Sequence, residues 1–129
     1  MKNILYLTAA TLLMFGACQN KIKESEAISK EAIVVHDEIM PQIAHFDRTT
    51  IKIDSLLETP LEAPTKNELL TLKSNLETAT DNMMTWMKDY AFDSTDVNYQ
   101  KDELAKIKAM KKQFEDVSLE SNTKLAPFK

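Results

Sequence analysis

The chain has 129 residues, a length for one domain, and its 16 Lys and Arg against 20 Asp and Glu give a net charge of −4. That balance argues against a nucleic-acid partner. The only glycine is Gly16, inside an apolar leader, so the rest of the chain cannot build a phosphate-binding loop, a dinucleotide-binding turn or a serine-hydrolase elbow.

Lys2 precedes an uncharged apolar stretch from Ile4 to Phe15, which ends in Phe15-Gly16-Ala17-Cys18. The stretch is short for a membrane span and is flanked like a signal peptide. It resembles a bacterial lipoprotein signal, with Phe15 where leucine is usual. That resemblance implies a signal peptide over residues 1–17, with acylation, including palmitate, on Cys18. Several acyl chains at about 0.8 kcal/mol per buried methylene hold a protein to a membrane permanently. Cys18 is the only cysteine, so no internal disulfide forms. Residues 18–26 then read as the lipidated cysteine and a polar tether, and residues 27–129 as the folded domain.

The first helix is expected from about Ile22 or Glu24 to Leu57. Its apolar stripe is Ile28, Ala32, Val35, Ile39, Ile43, Phe46, Ile53 and Leu57, spaced mostly three and four apart. Pro41 should kink it, and a full break there would give four helices. After Thr59-Pro60-Leu61-Glu62-Ala63-Pro64, the box Thr65-Lys66-Asn67-Glu68 should cap a second helix. The second stripe is Leu69, Leu72, Leu76, Ala79, Met83, Trp86 and Tyr90. A polar connection over 91–97 leads to a third helix from about Asn98 to Lys124, with Leu104, Ile107, Met110, Phe114 and Val117 inward. Short connections make neighbouring helices antiparallel. The expected fold is therefore an all-α, up-down-up three-helix bundle. Its first helix, roughly 50 Å long at 1.5 Å per residue, overhangs at the leader end.

Two fragments hold side chains with chemistry: His36-Asp37-Glu38-Ile39-Met40-Pro41 and Met83-Met84-Thr85-Trp86-Met87. His36 and Met40 share a helix face, as do Met83 and Met87. An antiparallel register counted from the first connection sets His36 opposite Met87 and Met40 opposite Met83. One imidazole and three thioethers beside the indole of Trp86 form a soft donor set suited to Cu(I) or Ag(I). This donor set is similar to that of small periplasmic copper chaperones, which are β-barrels. Asp37 or Glu38 is placed to orient the His36 ring. The competing reading is hydrophobic packing, in which Met83, Trp86 and Met87 are buried. The Glu-x-x-His pattern of di-iron bundles is absent, since Ile33 and Gln42 precede His36 and His45 by three. Lys101, Lys106, Lys108, Lys111 and Lys112 form a basic run on the third helix. It reads as a solvated face, or as a docking patch for a partner or lipid headgroups.

Together the leader ending at Cys18, Val35-His36-Asp37-Glu38-Ile39-Met40-Pro41 and Met83-Met84-Thr85-Trp86-Met87 resemble a group of short lipoproteins of Bacteroidetes-type bacteria. Members are sometimes labelled "viral A-type inclusion protein", a label that reflects coiled-coil-like composition. The resemblance implies a lipid-anchored helical bundle in the cell envelope, most simply on the outer membrane facing the periplasm or the exterior. The expected role is a non-catalytic binding or adaptor module with an envelope protein partner. The alternative is a Cu(I)- or Ag(I)-binding lipoprotein using His36, Met40, Met83 and Met87.

Overall fold

The computed structural model describes residues 2–129, with side chains from Gly16 onward. It is an all-α bundle of three mutually packed helices, without a strand among the described residues. Helix α1 spans Lys2–Leu57, α2 spans Ala63–Asp89 and α3 spans Val97–Lys124, followed by a short 3-10 turn, Ala126–Phe128. Contacts between side chains fix the topology. Pairs between α1 and α3 keep a nearly constant separation: Glu24 with Lys101 and Glu31 with Lys108 at 77 residues, Gln42 with Ser118 at 76. A constant separation means that α1 and α3 run parallel. Pairs involving α2 converge instead, as in Asp54–Lys73 and Asn75–Glu120, so α2 runs antiparallel to both.

The core is the set of stripes read from the sequence. Ala32, Val35, Ile39, Phe46 and Ile53 of α1 meet Leu69, Leu72, Leu76, Ala79, Met83 and Trp86 of α2 and Ile107, Phe114 and Val117 of α3. Phe46 and Phe114 stack at 4.8 Å between ring centroids. Leu104 and Met110 are only partly buried. The inner side of α3 carries polar residues instead at Gln100, Glu103 and Ser121.

Three readings change. First, the alternative of a full break at Pro41 drops out, since α1 runs through it. An interior proline costs about 3 kcal/mol through its lost hydrogen bond and ring clash. Burial of Ile39 just before it and Phe46 just after it offsets that cost, and Pro41 itself lies on the exposed side. Second, residues 18–26 are not a separate tether. They continue α1, and Ser25 is already buried. Third, Thr65 does not cap α2. The helix begins at Ala63 with Glu62 as N-cap and no side-chain cap, and Pro64 lies in its first turn. Proline has no N–H to lose there, and its fixed φ suits the start of a helix. Lys106 pairs with Glu103 on the same helix. The cap of α3 is conventional: Asp96 accepts from the backbone N–H groups of Asn98 and Tyr99 at 2.9 and 3.2 Å.

The basic run is neutralised within the bundle. Lys101, Lys108 and Lys111 reach Glu24, Glu31 and Glu38 of α1, and Lys112 reaches Asp116. Among the described residues, no helix is long and apolar enough to cross a membrane. Of the expected leader, residues 1–17, the side chains of residues 1–15 lie outside those described.

Phe114→Ala should destabilise the bundle by about 3–5 kcal/mol, because it leaves a cavity against Phe46. Leu119→Ala, on the exposed face, should stay within about 0.5 kcal/mol. Urea unfolding followed by far-UV circular dichroism measures both.

Candidate functional site

Two features stand out at the end of the bundle nearest Cys18, and the second of them holds the side chains singled out by the sequence. The first is a polar clamp around the α2–α3 connection. With no glycine available, this connection is held by side chains. Gln100 is fully buried, and its amide nitrogen lies 3.1, 3.4 and 2.9 Å from the carbonyl oxygens of Ala91, Phe92 and Ser94. The Tyr90 hydroxyl donates to Gln100 Oε1 at 2.7 Å and lies 3.1 Å from Ser29 Oγ. Ser29 in turn donates to the Phe92 carbonyl at 2.7 Å, and the Ala91 N–H donates to the Tyr99 hydroxyl. All three helices therefore meet at Tyr90. Burial pushes the proton affinity of the Tyr90 hydroxyl above its ordinary value of 10.0, partly offset by the contact with Ser29.

Above the clamp, a cleft of about 570 Å³ opens between α1 and the connection. Ile33, Val34 and Phe92 supply its apolar wall, and Glu26, Lys30 and Asp93 stand beside them. Val34 and Phe92 are 57% and 66% exposed, which is unusual for large apolar side chains. Sequence reasoning missed this cleft, because Val34 and Phe92 fall outside the helical stripes. The signal available was their occurrence as apolar residues off the stripe, in a chain that otherwise keeps to it.

The second feature is the groove between α1 and α2 that holds the His-Met fragments. His36 and Trp86 face each other with ring centroids 6.1 Å apart, and Tyr90 stacks on Trp86 at 4.4 Å. The fragments are thus at the same height, within a turn of the expected register. Asp37 orients the ring, as expected for one of the two acids: its Oδ1 is 2.9 Å from His36 Nδ1. Glu38 is committed to Lys111. The methionines divide. Met83 is fully buried in the core, Met40 packs against the core from its edge, and Met87 is 39% exposed. The packing reading therefore holds for Met83 and Trp86 and fails for Met87. Trp86 Nε1 is buried and has no hydrogen-bond partner within the protein. An unpaired buried donor costs about 1–3 kcal/mol, which the ring's packing has to offset. Among the described residues, no three His, Cys, Asp or Glu side chains converge on one point, so any metal held here would depend on thioethers. Cys18 is a free thiol on the exposed, overhanging part of α1.

Tyr90→Phe should cost about 1–3 kcal/mol, since it strips the buried Gln100 oxygen of its donor. It should also speed hydrogen exchange across residues 91–96. The raised proton affinity of Tyr90 means that its contribution to stability is complete below pH 10.0 and is lost as pH climbs beyond it. Thermal melts above pH 10 should therefore fall more steeply for the native chain than for Tyr90→Phe.

Comparison of the chain with protein-family models, with curated proteins and with solved structures finds no match.

Proposed function

We propose that this chain is a lipid-anchored, non-catalytic binding module of the bacterial cell envelope. Acyl chains on Cys18 hold it to the membrane, and its bundle faces the periplasm or the exterior. The observation that carries the binding role is the cleft beside the α2–α3 connection. Its volume is within the range of sites that take small ligands or a protruding side chain. Its exposed apolar rim at Val34 and Phe92 is the kind of surface that marks a partner site. The Tyr90–Gln100–Ser29 clamp keeps the cleft preformed, so an incoming group does not have to order the connection. An apolar side chain of an envelope protein is the occupant that suits this lining.

The anchor is supported by the leader and by the exposed position of Cys18. The likeness to short Bacteroidetes-type lipoproteins points the same way, and it favours the outer membrane.

Two experiments test this. Bacteria expressing the chain are fed an alkyne-bearing palmitate analogue. Label should enter the protein and be lost in Cys18→Ala, which should also leave the membrane fraction. Label that persists in Cys18→Ala rejects the anchor. A photo-crosslinking residue at Val34 should then capture an envelope protein that the same residue at exposed Leu119 does not. Equal capture at both positions rejects the cleft as the binding surface.

A further inference from the structure

The groove between α1 and α2 carries chemistry that the cleft does not use. Its geometry can be built from one observed contact. Lys73 of α2 bonds Asp54 of α1 across this groove. Seven residues are close to two helical turns, so a step of fourteen returns to the same flank of a bundled helix. Fourteen residues along α2 from Lys73 is Met87. Fourteen residues back along α1 from Asp54 is Met40. Because the two helices are antiparallel, both steps lead the same way, toward the leader end. Met40 and Met87 therefore occupy across the groove the positions that Asp54 and Lys73 occupy two heptads away. His36 lies one turn beyond Met40 on the same face, with its ring at 6.1 Å from that of Trp86.

We propose that His36, Met40 and Met87 form a binding site for a soft monovalent metal ion of the Cu(I) class, with the indole of Trp86 beside it. Each residue shows a matching feature. Asp37 accepts from His36 Nδ1–H, since an ionised carboxylate can only accept, and this turns Nε2 of the neutral ring toward use as a donor. The His36 side chain is 18% exposed and Met87 is 39% exposed, so an ion can enter without unfolding the helices. Met40 bridges the core and the groove. Met83, included in the donor set read from sequence, is fully enclosed in the core and is left out of the site. Two thioethers and one imidazole select a soft ion over Zn(II), Mg(II) or Ca(II). Trp86 lies against the His36 ring, close enough to report on an ion bound there. Its position is kept even though Nε1 stays unpaired.

The site is independent of the anchor and of the cleft, and its test does not depend on either. The full chain carrying Cys18→Ala, so that the thiol does not compete, is titrated anaerobically with Cu(I) against a chromogenic chelator. Fluorescence of Trp86, the only tryptophan, is followed at the same time. One equivalent should bind and quench the emission, and Ag(I) should displace it. His36→Ala and Met87→Leu should each weaken binding at least tenfold. Met84→Leu, at an exposed neighbouring methionine, should leave it unchanged. Met87→Leu conserves volume at a partly exposed position and keeps the test valid if His36→Ala perturbs the fold. Absence of Cu(I) binding at micromolar concentration, an equal response to Zn(II), or equal losses in Met84→Leu and Met87→Leu would each overturn the site.

Discussion

Everything at the leader-proximal end of this bundle depends on the hydrogen bonds that converge on Tyr90. Three parallel or antiparallel helices with long apolar stripes can slide by a heptad with little change in buried area. A fully buried amide such as that of Gln100 removes this freedom, because any slide strands it without partners. Tyr90 joins the end of α2 to Gln100 on α3 and to Ser29 on α1, so one point sets the height of all three helices. The stacking of Trp86 on Tyr90, and the approach of His36 to Trp86, follow from that height. The clamp also replaces glycine: a connection that would ordinarily turn through left-handed residues is held here by side-chain donors to its carbonyls, with no positive φ among the described residues.

Electrostatics acts as a second registration device along the α1–α3 seam. Lys101, Lys108 and Lys111 of α3 stand opposite Glu24, Glu31 and Glu38 of α1, a series of pairs on the outside of the core. Each pair is solvent-exposed and screened, so singly it adds little to stability. Their joint effect is on alignment, since a parallel slip by one turn breaks the whole series. The same pairing uses up the positive charge that a lipid headgroup or an acidic partner would need.

Helix content, topology and core were legible in the sequence because each depends on spacing alone. The α2 stripe from Leu69 to Trp86 is buried residue for residue as its periodicity indicates. Whether Pro41 breaks the helix was not legible, because the answer depends on the packing on either side of it. Thr65 misleads because two start signals compete, and the helix begins with Pro64, one residue earlier, in its first turn. Gln100 and Glu103 were illegible for a different reason. A polar residue on the inner face of a helix breaks the pattern from which burial is read, and only its partners elsewhere in the chain explain it. In the candidate site, the shared height of His36 and Trp86 was readable from connection length. The division of the methionines into a buried Met83 and an open Met87 was not, because it depends on the rotation of α2 about its axis.

The unbroken course of α1 has a mechanical consequence. From Cys18 to Leu57 the helix is continuous through Pro41, and at 1.5 Å per residue its contour is about 58 Å long. From Glu24 onward it is braced by the other two helices. Whatever grips the leader end thus works on a lever: by the same helical rise, a tilt of about 10° there sweeps the α1–α2 connection through about 10 Å. A flexible tether would let the bundle sample all orientations. A continuous helix instead makes the distance between Cys18 and the bundle a property of the chain, set by the number of residues in one helix.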